Sequence, residues 1–256
     1  MSPPPGRPKE GSALQAAASQ DATPPQSVHA RAGGHGAADL SPLGGKARSA
    51  KGAPVSLKPK AGIALRPDLG AIADWIKPGS NVLDLGCGDG TLLAHLYQAK
   101  QCRGYGVEID DAQVLACTRR GVDVVQQNIE EGLEMFRGGH FDVVVLSMAI
   151  QATHRTEKVL REMSEVAAEG IVSFPNFGHW FHIWSMLFGR MPVTREMPYQ
   201  WYDTPNLHLT TIKDFEDLLE RLNLKIVGEV FLNEGKQVRT LANKRATQAI
   251  YRFRRG

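Results

Sequence analysis

The sequence predicts an α/β fold: a seven-stranded, mostly parallel sheet with helices on both faces. Three observations lead there. Val82-Leu83-Asp84-Leu85 and Phe141-Asp142-Val143-Val144-Val145-Leu146 are short, largely apolar runs, as expected of strands buried on both faces. Such runs recur at short intervals with helical-period segments between them, the pattern of strand-helix-strand units. The first run ends in Gly86-Cys87-Gly88-Asp89-Gly90, a turn that carries a strand into a helix and leaves backbone N–H groups free for a ligand.

The chain opens with a stretch of different composition. Residues 1 to 60 hold nine of the 15 prolines, eight of the 26 glycines and no Phe, Trp or Tyr. So few large apolar groups cannot offset the entropy of ordering, and residues 1 to 62 are read as a disordered tail. A transit peptide, a linker or a regulatory arm fits that composition, whereas a secretory signal would need an apolar stretch of roughly 7–15 residues. Eight Lys or Arg against three acids put +5 on residues 1 to 60, so the formal +3 of the chain leaves −2 for the rest. That balance argues against a nucleic-acid footprint on the folded part, residues 63 to 256. No apolar run reaches the roughly 18 residues of a membrane span. Cys87, Cys102 and Cys117 have neither metal nor disulfide spacing, so reduced thiols in a cytoplasmic protein are expected.

In order, Leu65 to Ile76 reads as a helix with Pro67 in its first turn, ended by Pro78-Gly79. The first strand and glycine turn follow, then a helix with Leu92, Leu93 and Leu96 on its buried face. Cys102 to Val107 is the second strand, Asp111 to about Arg119 a helix, and Val122 to Gln126 the third strand. The fourth strand ends at Ser147, and Thr156 is expected to cap the helix that carries Val159, Leu160, Met163 and Val166. Ile171 to Phe174 is the fifth strand. Thr211-Ile212-Lys213-Asp214 reads as a capping-box-like helix start. Strands near Lys225 to Leu232 and Thr247 to Arg254 complete seven.

The chemistry concentrates at the first strand. A dinucleotide fingerprint would place its third glycine at position 91, which is Thr91, whereas the spacing here is G-x-G-x-G. Asp84, two places before Gly86, suits a ligand carrying an ammonium group better than a pyrophosphate. Glu108 stands 22 residues after Gly86, where an acid can accept hydrogen bonds from both hydroxyls of a ribose. These residues resemble the first motifs of class I S-adenosylmethionine-dependent methyltransferases, whose fold is Rossmann-like. The resemblance implies S-adenosylmethionine or S-adenosylhomocysteine as cofactor, with Asp84, Gly86, Cys87, Gly88, Gly90, Glu108, Ile109, Asn128, Ile129 and Ser147 as binding residues. Asn128 stands where such enzymes often have Asp beside the adenine.

Residues 175 to 209 interrupt the alternation and carry eight of the 18 aromatics: Phe177, Trp180, Phe181, Trp184, Phe188, Tyr199, Trp201 and Tyr202. Helical spacing of Trp180, Phe181, Trp184, Leu187 and Phe188 predicts an amphipathic helix in an insertion that acts as a lid, a partner-binding face or extra core. His179 and His182, near Asp203 and His208, lack the ligands to complete a metal site, and none is expected. His154, Tyr202 and His208 are candidate general bases, and no residue is assigned as catalytic.

A narrower resemblance rests on Leu65-Arg66-Pro67-Asp68-Leu69, the glycine turn, Val145-Leu146-Ser147, Phe174-Pro175-Asn176-Phe177-Gly178-His179-Trp180, Gly189-Arg190-Met191-Pro192-Val193-Thr194 and Trp201-Tyr202-Asp203-Thr204-Pro205-Asn206-Leu207-His208. Together they resemble the MetW family of methionine-biosynthesis proteins over about Leu65 to Arg254. The resemblance implies a bacterial cytoplasmic protein that works with homoserine O-acyltransferase, MetX, and does not by itself imply methyl transfer. Two readings stand: a cofactor-binding subunit that supports the acyltransferase, or an active small-molecule methyltransferase.

Overall fold

The computed structural model describes residues 65–256, so the tail expected over residues 1 to 62 lies outside the described residues. Its elements in chain order are α1 (Pro67–Trp75), β1 (Asn81–Leu85), α2 (Thr91–Lys100), β2 (Arg103–Glu108), α3 (Asp111–Arg120), β3 (Val124–Gln126), β4 (Phe141–Ser147), α4 (Thr156–Val166), β5 (Ala167–Pro175), α5 (Trp180–Leu187), α6 (Ile212–Arg221), β6 (Leu224–Asn233), β7 (Lys236–Gln237), α7 (Ala242–Arg245) and β8 (Gln248–Arg255). They form one sheet of order β3-β2-β1-β4-β5-β8-β6-β7. β1 to β5 are parallel, while β8 pairs antiparallel with both β5 and β6. This is the Rossmann-like fold of class I methyltransferases. Strand order reverses between β1 and β4, so the crevice at their carboxyl ends is where an open α/β sheet takes its ligand.

Helices cover both faces. On one, Val159, Leu160 and Met163 of α4 and Phe215 and Leu219 of α6 pack over Leu83, Leu146, Phe174 and Tyr251. On the other, Ile72 of α1, Leu92, Leu93 and Leu96 of α2 and Cys117 of α3 cover Val82, Val145 and Ile171. Full burial of one such aliphatic side chain contributes about 1.5–3 kcal/mol, so this double layer is what holds the carboxyl edge in place.

Two expectations are corrected. The sheet has eight strands, not seven, because Glu234 (φ 48°) and Gly235 (φ 81°) form a two-residue turn with left-handed backbone that folds Lys236–Gln237 back on β6. Thr156 is the first residue of α4 and not its cap; Arg155 precedes the helix without a capping bond, and the Thr156 hydroxyl meets that of Thr153 at 3.1 Å. Thr211 does cap α6: its Oγ1 accepts from the Asp214 N–H at 3.2 Å and donates to Asp214 Oδ2 at 2.6 Å. Among the described residues no helix is long and apolar enough to cross a membrane.

Candidate functional site

The glycine turn joins β1 to α2 with all three glycines at positive φ: 64° at Gly86, 56° at Gly88 and 74° at Gly90. A side chain at Gly86 would be strained and would place its Cβ 3.2 Å from that of Ala149 across the crevice. Glu108, at the end of β2, closes the turn from the neighbouring strand. Its Oε2 accepts the Gly88 N–H at 2.8 Å, and its Oε1 accepts the N–H groups of Ile109 and Asp110 at 2.8 and 3.0 Å. Three backbone donors thus orient one carboxylate, which leaves about one of its four lone-pair sites free on a side chain that lines the cavity.

The cavity beside it has a volume of about 410 Å³. Of the ten residues expected to bind a cofactor, Gly86, Glu108, Ile109, Asn128 and Ile129 line it together. Ala149, Ala152, Thr153 and His154, from the loop after β4, form the opposite wall. Asn128 starts a short 3-10 turn, its Oδ1 accepting the Glu130 N–H at 3.0 Å, so its amide is fixed by the backbone it caps.

The other five lie around the cavity without lining it. Asp84 is buried beneath the turn, and that burial, reinforced by the Glu108 charge and opposed by Arg66, pushes its carboxyl up to about 7. Cys87 turns inward: its Sγ lies 3.7 Å from that of Cys117, and a Cβ on Gly106 would strike it. Burial raises both thiols, so neither is an activated nucleophile. Gly88 and Gly90 supply the turn, and the Ser147 hydroxyl meets Asp68 Oδ2 at 3.3 Å and Ser173 Oγ at 3.1 Å.

The candidate bases converge only in part. His154 lies at the cavity wall and, together with His208, also lines a groove of about 910 Å³ between α4 and α6, whereas Tyr202 is 71% exposed in the insertion. Among the described residues no cluster of three or more His, Cys, Asp or Glu could hold a metal ion.

Sequence reasoning missed a polar knot beside the site. Asp68, 1% exposed, accepts from Nε and Nη2 of Arg66 at 3.3 and 3.1 Å as well as from the Ser147 hydroxyl, tying α1 to the end of β4. The next residue, Met148, adopts φ 53°, a conformation uncommon outside glycine, and its N–H donates to the Ser173 carbonyl at 2.9 Å. Leu65-Arg66-Pro67-Asp68 was visible as a motif, but its partners are about 80 residues away in the chain.

The insertion departs from the rest of the molecule. α5 forms where helical spacing predicts it, yet its aromatic residues point outward: Trp180 and Trp184 are more than half exposed, and Leu187 and Phe188 are 73% and 67% exposed. The one side chain α5 buries is His182, stacked on Phe177 and 5.6 Å from the ring of His179. Among the described residues neither ring nitrogen of His182 has a hydrogen-bond partner in bonding geometry, although the Phe177 and Asn176 carbonyls lie close enough to favour its proton. Burial wins, and both histidines are held below their usual range. Asn176, fully buried, anchors the base of the segment: it donates to the carbonyls of Asn243 and Ala246 and accepts the N–H groups of Gly178 and Ile212.

Comparison with known proteins agrees with this architecture. The family model described as methionine biosynthesis protein MetW matches residues 66–253. The chain belongs to the MetW family. A relative, the bifunctional methionine biosynthesis protein MetXA/MetW of Rhodopirellula baltica, is 35% identical over 207 residues. The alignment covers 75% of this chain and 33% of that protein, so this MetW-family chain spans about a third of its relative's length. Among solved structures, a SAM-dependent methyltransferase from Archaeoglobus fulgidus aligns with a TM-score of 0.56 at 15% identity, over 72% of this chain and 90% of that one. A possible histamine N-methyltransferase from Thermotoga maritima aligns with a TM-score of 0.54 at 16% identity, over 74% and 88%. At that identity the likeness concerns the fold.

Proposed function

We propose that this MetW-family protein is a cytoplasmic accessory subunit of methionine synthesis, binding S-adenosylmethionine in the cavity at β1, β2 and β4 and supporting homoserine O-acyltransferase by direct contact. The observation that carries the reading is the apolar face of α5, left uncovered by the described residues, in a family where one relative joins MetXA and MetW in a single polypeptide. A monomer working alone in water has no reason to expose two tryptophans and a phenylalanine on one short helix. Aromatic side chains of this kind are the usual anchors of protein interfaces.

The residues present fit the cofactor. Glu108 offers carboxylate oxygens at the cavity wall for ribose hydroxyls, Asp84 supplies negative charge beneath the turn, and Gly86 leaves the space that a Cβ would fill towards Ala149. Gly88, Gly90, Cys87 and Ser147 would act through the backbone and shape of the turn and the β4 end. When bound, the cofactor supplies a sulfonium cation and an adenosyl group.

A link between cofactor and partner follows from two bonds. The N–H groups of Leu207 and His208 donate to the Gln151 carbonyl at 2.8 and 3.0 Å, attaching the far arm of the insertion to the loop that lines the cavity. A ligand that reorders this loop can therefore bias the partner-binding segment, with equal and reciprocal coupling.

The test is homoserine acylation by the same organism's acyltransferase, with and without this protein, each with and without S-adenosylmethionine. A rate increase that requires the protein supports the reading; no increase together with no co-purification would sink it. A second reading, a small-molecule methyltransferase, is favoured by His154 standing at the same cavity as Glu108. It requires labelled product to form from labelled S-adenosylmethionine in cell extract and to disappear with Glu108→Ala.

A further inference from the structure

A second cleft, of about 260 Å³, opens at the same carboxyl edge but shares no lining residue with the adenosyl cavity. Arg66 and Asp68 at the start of α1, Met148 after β4, Arg195 and Glu196 from the insertion and Glu234 from the β6–β7 turn surround it. Four segments distant in sequence thus contribute charged or strained residues to one small space.

The charges do not cancel among themselves. Arg66 is committed to Asp68, and Asp68 is further satisfied by Ser147. Arg195, Glu196 and Glu234, although they line the same cleft, form no ion pair within 4.0 Å among the described residues. Opposite charges that share a cleft and stay apart leave room for a molecule to come between them. The acidic side is built rather than incidental: the buried Thr247 hydroxyl lies 3.3 Å from Glu196 Oε1 and accepts the Glu234 N–H at 3.3 Å. Behind it His179, 8% exposed with Nε2 unpartnered among the described residues, feels both carboxylates.

We infer that this cleft binds a free, zwitterionic α-amino acid, its ammonium group held between Glu196 and Glu234 and its carboxylate on Arg195 with Arg66 at the edge. Both ends of such a ligand form charge-assisted hydrogen bonds, and the guanidinium can take the carboxylate with two parallel donors. The volume lies just below the roughly 300–1,000 Å³ of sites for drug-sized ligands, which suits a small metabolite. Met148 and Pro67 supply the apolar part of the lining. The inference stands apart from the acyltransferase reading, since it needs only the cleft. The same chemistry is also found at the amino-acid end of S-adenosylmethionine, so the experiment separates the two sources.

The full chain is screened against the free L-α-amino acids, including L-homoserine, by thermal shift, and hits are titrated calorimetrically with and without saturating S-adenosylhomocysteine. At least one amino acid is expected to bind in its presence, at least ten-fold more tightly than its N-acetyl or methyl-ester derivative. Arg195→Gln and Glu196→Gln are expected to weaken that binding ten-fold or more and to leave S-adenosylhomocysteine affinity unchanged. Arg195 is exposed, so its replacement does not threaten folding. Binding by no amino acid, equal binding by the variants, or displacement by S-adenosylhomocysteine, which would give the cleft to the cofactor's own methionine end, would overturn the inference.

Discussion

Glu108 and Asp84 illustrate how two acids on adjacent strands can take separate duties. Glu108 is held by three backbone donors and faces the cavity, so Glu108→Ala removes both a ribose acceptor and the tie across the glycine turn. Charge-assisted bonds contribute about 1.5–3 kcal/mol each, and calorimetry should record at least a ten-fold loss of S-adenosylhomocysteine affinity. Asp84 has no such donors among the described residues, and burial raises its carboxyl to about 7 from 3.8. Below about pH 7 the ligand-free fold takes up a proton that the unfolded chain refuses until about pH 4, so this group stabilises the fold as pH falls through that window. Cofactor binding has the opposite preference, because a cation favours the ionised acid. S-adenosylmethionine affinity should therefore fall by up to about ten-fold between pH 8 and pH 6, with net proton release measurable in buffers of different ionisation enthalpy. An affinity independent of pH would remove Asp84 from the site.

At the scale of elements, α5 inverts the usual rule: it buries a histidine and shows its aromatic residues to solvent. Trp184→Ser with Leu187→Ser should cost little fold stability, under about 0.5 kcal/mol by thermal melting, because these side chains pack against little. The same pair should weaken acyltransferase binding at least ten-fold in a pull-down titration, since interface tryptophans commonly contribute about 2 kcal/mol or more. A large drop in melting temperature instead would mean that the residues belong to the core. The helix itself was legible from its period, but its exposure was not, because the 3.6-residue repeat marks an apolar face without saying what covers it. Thr156 misled for a related reason: capping residues are also accepted in the first turn, and only the backbone angle at Arg155 decides. The β6–β7 turn could have been read from Glu234-Gly235 between two polar-flanked strands, a signal hidden by the length expected of a single edge strand.

For the molecule as a whole, the parallel half of the sheet was readable because each unit is local: a strand, a glycine or polar end, and a helix that returns to the next strand. Gly86, Glu108 and Asn128 came out together on one cavity for that reason, each standing at a strand's carboxyl end. The Arg66–Asp68–Ser147 knot and the Arg195–Glu196–Glu234 cleft were beyond reach, since they join residues from both ends of the chain. β8 shows the cost of such long-range joins. It sits between β5 and β6, sends Ile250 into one core layer and Ala249, Tyr251 and Phe253 into the other, and closes both. A stop codon after Thr247 should leave a chain without cooperative unfolding by circular dichroism; a sharp transition there would show that β5 and β6 can pair directly. Synthesis runs in the same order as the sequence, so on the ribosome β5 and β6 wait as two open edges, each apolar on its faces, until β8 emerges. That interval, ended by the arrival of one strand, makes the nascent chain a client for chaperones and makes edits near β8 act on yield before they act on activity.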